Sequence, residues 1–196
     1  MSSAPVVILG GGPLADYLHT LLVGSEAFHT WEDFSGLAGL SSPTGADSQT
    51  TSPPKSPSKA GPDSSPVLSD PAVAMALSEF AERYPTARFV AIERPPLDVV
   101  RHWIRAGHQR VTAELDLLDA NPGLNERLSS LFTELSGVEA ADHCFTRLGL
   151  LSAYRTALAR EVLSSLSDEQ AVLVCETAWR KNVDTVTPQL LDFLGA

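Results

Sequence analysis

Three glycines and a proline, Gly10-Gly11-Gly12-Pro13, separate a short β-branched run, Val6 to Leu9, from a helix-periodic stretch, Leu14 to Val23. A turn between a strand and a helix gathers unpaired backbone N–H groups at the positive end of a helix dipole, which suits a phosphate or sulfate. A second group follows the strand Arg88 to Glu93: Arg94, then Asp98 and His102 on the next helix. Asp98 and His102 are four positions apart, so they share a helix face, and a carboxylate there can orient an imidazole for proton transfer near neutral pH. Arg94 is a fixed cation at a strand end, able to hold an anion or to pair with a surface carboxylate. Gly11, Gly12 and Arg94 are therefore the candidate anion-binding residues, and His102 with Asp98 the candidate catalytic pair.

Other features carry weaker signals. Gly10-x-Gly12-x-x-Ala15 fits a dinucleotide fingerprint, with Glu32 or Asp33 near the place of a ribose-binding carboxylate. Pro13 and the lack of later βαβ units leave a tight turn packing helix on strand as the plainer reading of an NAD-type site. Arg101, Arg105, His108 and Arg110 make one helical region basic, either a local anion patch, a partner-facing surface or simply a solvated face. Trp103, Tyr154, Trp179 and Glu176 read as packing and strand-end residues. Cys144 and Cys175 are the only cysteines and have no close spacing, which excludes a disulfide framework or a cysteine zinc site as an organising principle.

The elements that must position these groups can be read from periodicity. Ala27 to Phe34 is a second candidate strand, and Ala72 to Tyr84 a helix with Val73, Leu77, Phe80 and Ala81 on one face. Thr112 to Leu118, Leu124 to Leu135 and Phe145 to Leu166 are helical, with a break at Asn121-Pro122-Gly123. Ala171 to Thr177 is a strand with an acidic end, followed by a short amphipathic helix. Strands separated by helices imply a parallel sheet covered on both faces, hence an α/β fold. The 196 residues suffice for one sizeable core, so residues 1–196 are read as a single domain. Within it, residues 39–69 form a low-complexity insert of Ser, Pro, Thr, Gly and Lys that is expected to be disordered.

A formal charge of -10 and a pI near 4.8 argue against sequence-independent nucleic-acid binding, which needs a clustered basic surface. No apolar run reaches the length of a membrane span. Met1 to Pro5 lacks a basic start and Val6 to Leu9 is too short for a targeting core, so a cytoplasmic location is expected.

Taken in order, three segments resemble the sulfotransferase family, which transfers a sulfuryl group from the nucleotide donor PAPS. The first is the strand entering the glycine turn, which matches by position. The second carries Arg94, Pro96, Asp98 and Trp103 in the register of a family motif. The third runs from Glu176 to Phe193-Leu194-Gly195. The resemblance implies a sulfotransferase-like parallel sheet flanked by helices, with Arg94 holding a donor phosphate. The departures fall where chemistry occurs. Residues 10–17 contain no Lys, Arg, Ser or Thr to hold migrating sulfuryl oxygens, and His102 stands where the family has a serine.

The expectation is a noncanonical sulfotransferase-like protein of small-molecule metabolism with degenerate PAPS binding, working as a subunit with a protein partner or a second copy. Alternatives are an enzyme acting on a sulfated or phosphorylated metabolite, for example by sulfate elimination, a residual PAPS-dependent sulfotransferase, and an NAD-type dinucleotide-binding protein. A small sulfated or phosphorylated anion is the expected ligand, with no nucleic acid or membrane as partner. No cofactor is fixed by the residues themselves; PAPS is the one the resemblance admits.

Overall fold

The computed structural model describes residues 4–31, 64–69, 71–136 and 144–196. The run Val6–Leu9 is fully buried and forms β1, the middle strand of the sheet. Pro13 opens helix α1, Pro13–Val23, where its missing N–H costs nothing because a first-turn donor has no intrahelical partner. β2 follows at Phe28–Thr30 and β3 at Ser65–Ser69. A 3-10 segment, Pro71–Ala76, leads into α2, Leu77–Arg83, and then β4, Arg88–Glu93. Four helices come next: α3 at Pro96–Ala106, α4 at His108–Asp119, α5 at Pro122–Ser136 and α6 at Cys144–Leu163. β5 at Ala171–Cys175 runs directly into α7, Glu176–Lys181, and α8, Val183–Leu194, completes the fold.

The sheet is all parallel, in the order β2-β3-β1-β4-β5. One face is covered by α1 and α8, with Leu14, Leu18, Leu22, Leu190 and Leu194 against Val6, Ile8, Val90, Ile92 and Val174. The other is covered by α2 and α6, with Leu77, Phe80, Ala159 and Leu163 against Val7, Leu9, Leu68, Phe89 and Ala91. Each fully buried aliphatic or aromatic side chain in these layers contributes roughly 1.5–3 kcal/mol. The helical middle packs on itself: Val99, Val100 and Trp103 of α3 meet Leu148 of α6, and Leu118, Leu128 and Leu151 join α4, α5 and α6. This two-faced α/β architecture matches the expected fold class.

Three details differ from the sequence reading. The insert expected over residues 39–69 ends earlier, because Ser65–Ser69 is a strand pairing with both β1 and β2. Two apolar residues suffice there, since Val67 and Leu68 point to opposite faces and are both buried; residues 39–63 lie outside the described residues. The helix expected over 72–84 is split at Ala76, and the tighter 3-10 pitch turns Val73 and Ala74 inward together with Leu77 and Phe80. The strand expected to reach Thr177 stops at Cys175, and Glu176 is the first residue of a helix. Of the expected strand Ala27 to Phe34, Phe28–Thr30 is formed and residues 32–34 lie outside the described set.

The sheet also separates the chain from the dinucleotide arrangement. There the strand after the first crossover lies beside β1. Here β3 occupies that place and β2 lies one strand further out. Glu32 and Asp33 lie outside the described residues.

Candidate functional site

The carboxyl ends of β1, β4 and β5 converge, and the glycine turn sits among them. Gly10 has φ +119° and Gly12 φ +145°, values that L side chains rarely adopt. Space is short as well. A Cβ on Gly10 would lie 2.8 Å from the carbonyl oxygen of Ile92, and one on Gly11 would lie 2.9 Å from Nε1 of Trp103. A Cβ on Gly12 would lie 2.6 Å from Nη1 of Arg94 and 3.1 Å from Oε2 of Glu176. The glycines thus admit an indole and a guanidinium to the turn itself, side by side with the helix dipole of α1.

Of the residues grouped from the sequence, Gly11 faces Trp103 while Gly12 lies against Arg94, and the nearest charge to Arg94 is internal. Its Nε lies 2.9 Å from Oε2 of Glu176, whose side chain is 2% exposed. Arg180 reaches the other oxygen of the same carboxylate, with Nη2 and Nε at 2.6 and 3.0 Å from Oε1. Glu176 thus joins two arginines at the mouth of the turn, a larger role than the packing and strand-end hydrogen bond read from its position. Trp179 keeps its structural part, donating from Nε1 to Oγ1 of Thr187 and stacking at a tilt on Tyr17. Tyr154 packs beside Leu118, Leu128 and Leu151.

His102 and Asp98 are not partners. Asp98 accepts a hydrogen bond from Arg101 at 3.1 Å, three residues along the helix. His102 turns toward α1, with Nε2 3.3 Å from Oδ2 of Asp16. The expected pairing within α3 is therefore replaced by a pairing across two helices, because an arginine one turn from Asp98 reaches it first. His102 of α3 thus faces the first turn of α1, against its exposed acidic residue Asp16. The basic region is largely satisfied from within, since Arg101 pairs with Asp98 and Arg110 with Glu114 at 3.0 Å.

Two functional candidates escaped the sequence reading. Glu114 and Arg155 are both buried, 5% exposed each, and Arg155 Nη1 donates to Glu114 Oε2 at 2.6 Å. Arg155 stands on the apolar stripe of α6 made by Leu148, Leu151, Ser152, Ala159 and Leu163. A cation on such a stripe is a signal that periodicity could have given.

Arg94, Trp103 and Arg155 together line a small cavity of about 30 Å³ that Gly10 and Gly11 also border. An open groove of about 550 Å³ adjoins it, sharing Glu93, Arg94 and Thr156 and bounded further by Arg160, Cys175 and Thr177. Arg160 is ion-paired with Glu93, whose hydrogen bond and charge raise the guanidinium's pKa further above its ordinary value. Among the described residues, no group of His, Cys, Asp or Glu side chains is arranged to hold a metal ion, and no helix is long and apolar enough to cross a membrane.

No protein-family model matches the chain, and no curated protein matches it. Solved structures do. A sulfotransferase domain from the curacin biosynthetic pathway is similar with a TM-score of 0.59 and 13% identity, over 99% of this chain and 74% of that one. A sulfotransferase from Alicyclobacillus acidocaldarius is similar with a TM-score of 0.55 and 14% identity, over 100% of this chain and 82% of that one. At such identities the likeness concerns architecture alone: the chain has a sulfotransferase-like α/β fold.

Proposed function

We propose that this chain is a noncanonical sulfotransferase-like protein of small-molecule metabolism that has given up ordinary PAPS binding and works as a subunit of a complex. The carrying observation is the state of the turn. Residues 10–17 contain no Lys, Arg, Ser or Thr, Asp16 places a carboxylate in the first turn of α1, and the buried Glu176 carboxylate faces Gly12 beside Arg94. A phosphosulfate entering there meets two carboxylates, and the backbone N–H groups and Arg94 must work against them. The sulfotransferase neighbour from a biosynthetic pathway supports the metabolic setting.

Isothermal titration of the purified protein with PAPS and with its desulfonated product PAP tests this directly. The expected result is no saturable heat below millimolar ligand, and micromolar binding of either nucleotide overturns it. Co-expression with proteins encoded beside it, followed by light scattering on the eluted species, tests the second half: a defined hetero-complex or homo-oligomer is expected, and a monomer under every condition refutes it.

A second reading, an enzyme acting on a sulfated or phosphorylated metabolite, is favoured by the open groove beside Arg94, Arg160, Thr156 and Thr177. Sulfate release from such a metabolite, lost on Arg94→Ala, supports that reading against a purely binding role. Its absence across a panel of sulfated metabolites removes it.

A further inference from the structure

Two charge clusters built on buried carboxylates flank the small cavity, and both are unbalanced. Glu176 is shared by Arg94 and Arg180, and Glu114 is shared by Arg110 and Arg155. Each cluster sets two arginines, an inner one and an outer one that reaches solvent, against one buried carboxylate, so each carries an excess positive charge in a chain whose net charge is -10. The inner arginine of each, Arg94 and Arg155, lines the same cavity. The remaining lining charge, Glu93, is neutralised by Arg160.

The hydrogen-bond inventory points the same way. Among the described residues, the buried side-chain nitrogens with no partner in the protein are Nη1 of Arg94, Nε1 of Trp103 and Nε of Arg155. All three belong to residues that line this cavity, and Trp103 and Arg155 are 2% and 5% exposed. All three are donors that cannot accept. The one buried oxygen in the same position, Oε2 of Glu176, faces Arg94 Nε at 2.9 Å and does not border the cavity. Buried donors left without acceptors are costly, so such a set is a site for something that accepts.

We propose that this cavity binds the carboxylate of a small organic acid whose body lies in the adjoining groove. Charge and donor count call for an anion without protons to offer. Donor count also selects among anions, because three orphan N–H groups match the roughly four acceptor positions of a carboxylate and leave most of those of a doubly charged, tetrahedral sulfate unsatisfied. The Arg155 guanidinium, held by Glu114, and the Trp103 indole, wedged against Gly11, are fixed in place, so little side-chain freedom is lost on binding. The groove, walled by Pro95, Pro96, Ala153 and Ala157 as well as Thr156 and Thr177, gives the acid's hydrocarbon chain an open and largely apolar path outward. This rests on the small-molecule part of the proposed function and names its ligand class. It is independent of whether a nucleotide binds.

The test is a titration of the full chain, labelled with nitrogen-15 at the indoles, with acetate, hexanoate and sulfate at constant ionic strength set by chloride. Of the three tryptophans, Trp179 already donates to Thr187 and serves as an internal control. The expected result is a saturable downfield shift of one indole N–H with acetate and hexanoate, tighter for hexanoate, and none with sulfate. That signal should be absent from Trp103→Phe, and the variant's affinity for hexanoate should fall by about tenfold or more, as for loss of a hydrogen bond to a charged group. No indole shift with either acid, equal shifts at all three indoles, or a stronger response to sulfate each overturns the assignment. If Trp103→Phe fails to fold, the wild-type titration still decides. Failure here with PAP still unbound leaves the subunit reading standing, whereas PAP binding with carboxylate binding intact removes only that reading.

Discussion

Glu176 is the residue on which the site's electrostatics turn. Removing its charge leaves Arg94 buried beside Gly12 without a counter-ion, and unpaired buried charges are strongly destabilising. Glu176→Gln is expected to lower the unfolding free energy by about 3 kcal/mol, measured by urea denaturation. Asp98→Asn is its contrast: the Asp98–Arg101 pair is exposed, so a change within about 0.5 kcal/mol is expected. His29 supplies a pH dependence. Burial lowers its pKa below 6.5, and its Nδ1 lies 2.8 Å from Oγ of Ser64. The folded state therefore holds this proton less well than the unfolded chain, so its share of stability is complete above pH 6.5 and is lost as pH falls through the depressed folded value. Thermal melts from pH 8 to pH 5 should show a decline beginning near pH 6.5 that His29→Gln reduces; an unchanged decline refutes the assignment. Single residues were unevenly legible in the sequence. Arg94, Gly11 and Gly12 could be grouped because a strand end and a strand–helix turn meet in any parallel sheet of this kind. The partner of His102 could not, since helix spacing offered Asp98 while the cross-helix Asp16 depends on how α1 and α3 sit together.

At the level of elements, the junction of β1, α1 and β4 is held by an approach too close for any Cβ. Gly10→Ala combines an unfavourable φ with a contact 2.8 Å from a backbone oxygen that cannot move aside. Gly107, between α3 and α4, has the same φ of +119° with nothing within 4 Å of its would-be Cβ. Gly107→Ala should cost about 1 kcal/mol from backbone strain alone, and Gly10→Ala at least about 2 kcal/mol, the difference measuring the contact with β4. Equal costs in denaturant melts would show that Ile92 yields. Elements with strong periodicity and clear breakers were readable: α1, β4, α5 and β5 lie within a few residues of their expected bounds. β3 was hidden because only Val67 and Leu68 mark it, and Pro66 with its flanking serines mimics the low-complexity run before it. The Arg155–Glu114 pair was hidden for another reason, because it joins α6 to α4, which are distant in sequence, and ion-pair partners at that range follow from packing.

For the molecule as a whole, the fold class was legible because alternating strand and helix periods permit few architectures, while the strand order was not, since no local pattern says which parallel strand lies beside which. That order has a kinetic side. β1 is the middle of the sheet, and its partner β4 arrives only after a stretch approaching half the chain, as Val6 aligns with Arg88; β4 in turn waits as long for β5, as Phe89 aligns with Ala171. None of these pairings is a hairpin, so the ordering entropy of long closures must be met before the sheet gains its contacts. Refolding from urea in a stopped-flow instrument should therefore be slow, on the order of seconds or longer, with a compact early species in which helices α3 to α6, bound by nearer contacts, have formed ahead of the sheet. Until β5 docks, the apolar flank of β4 is open to other chains, and refolding yield should fall as protein concentration rises.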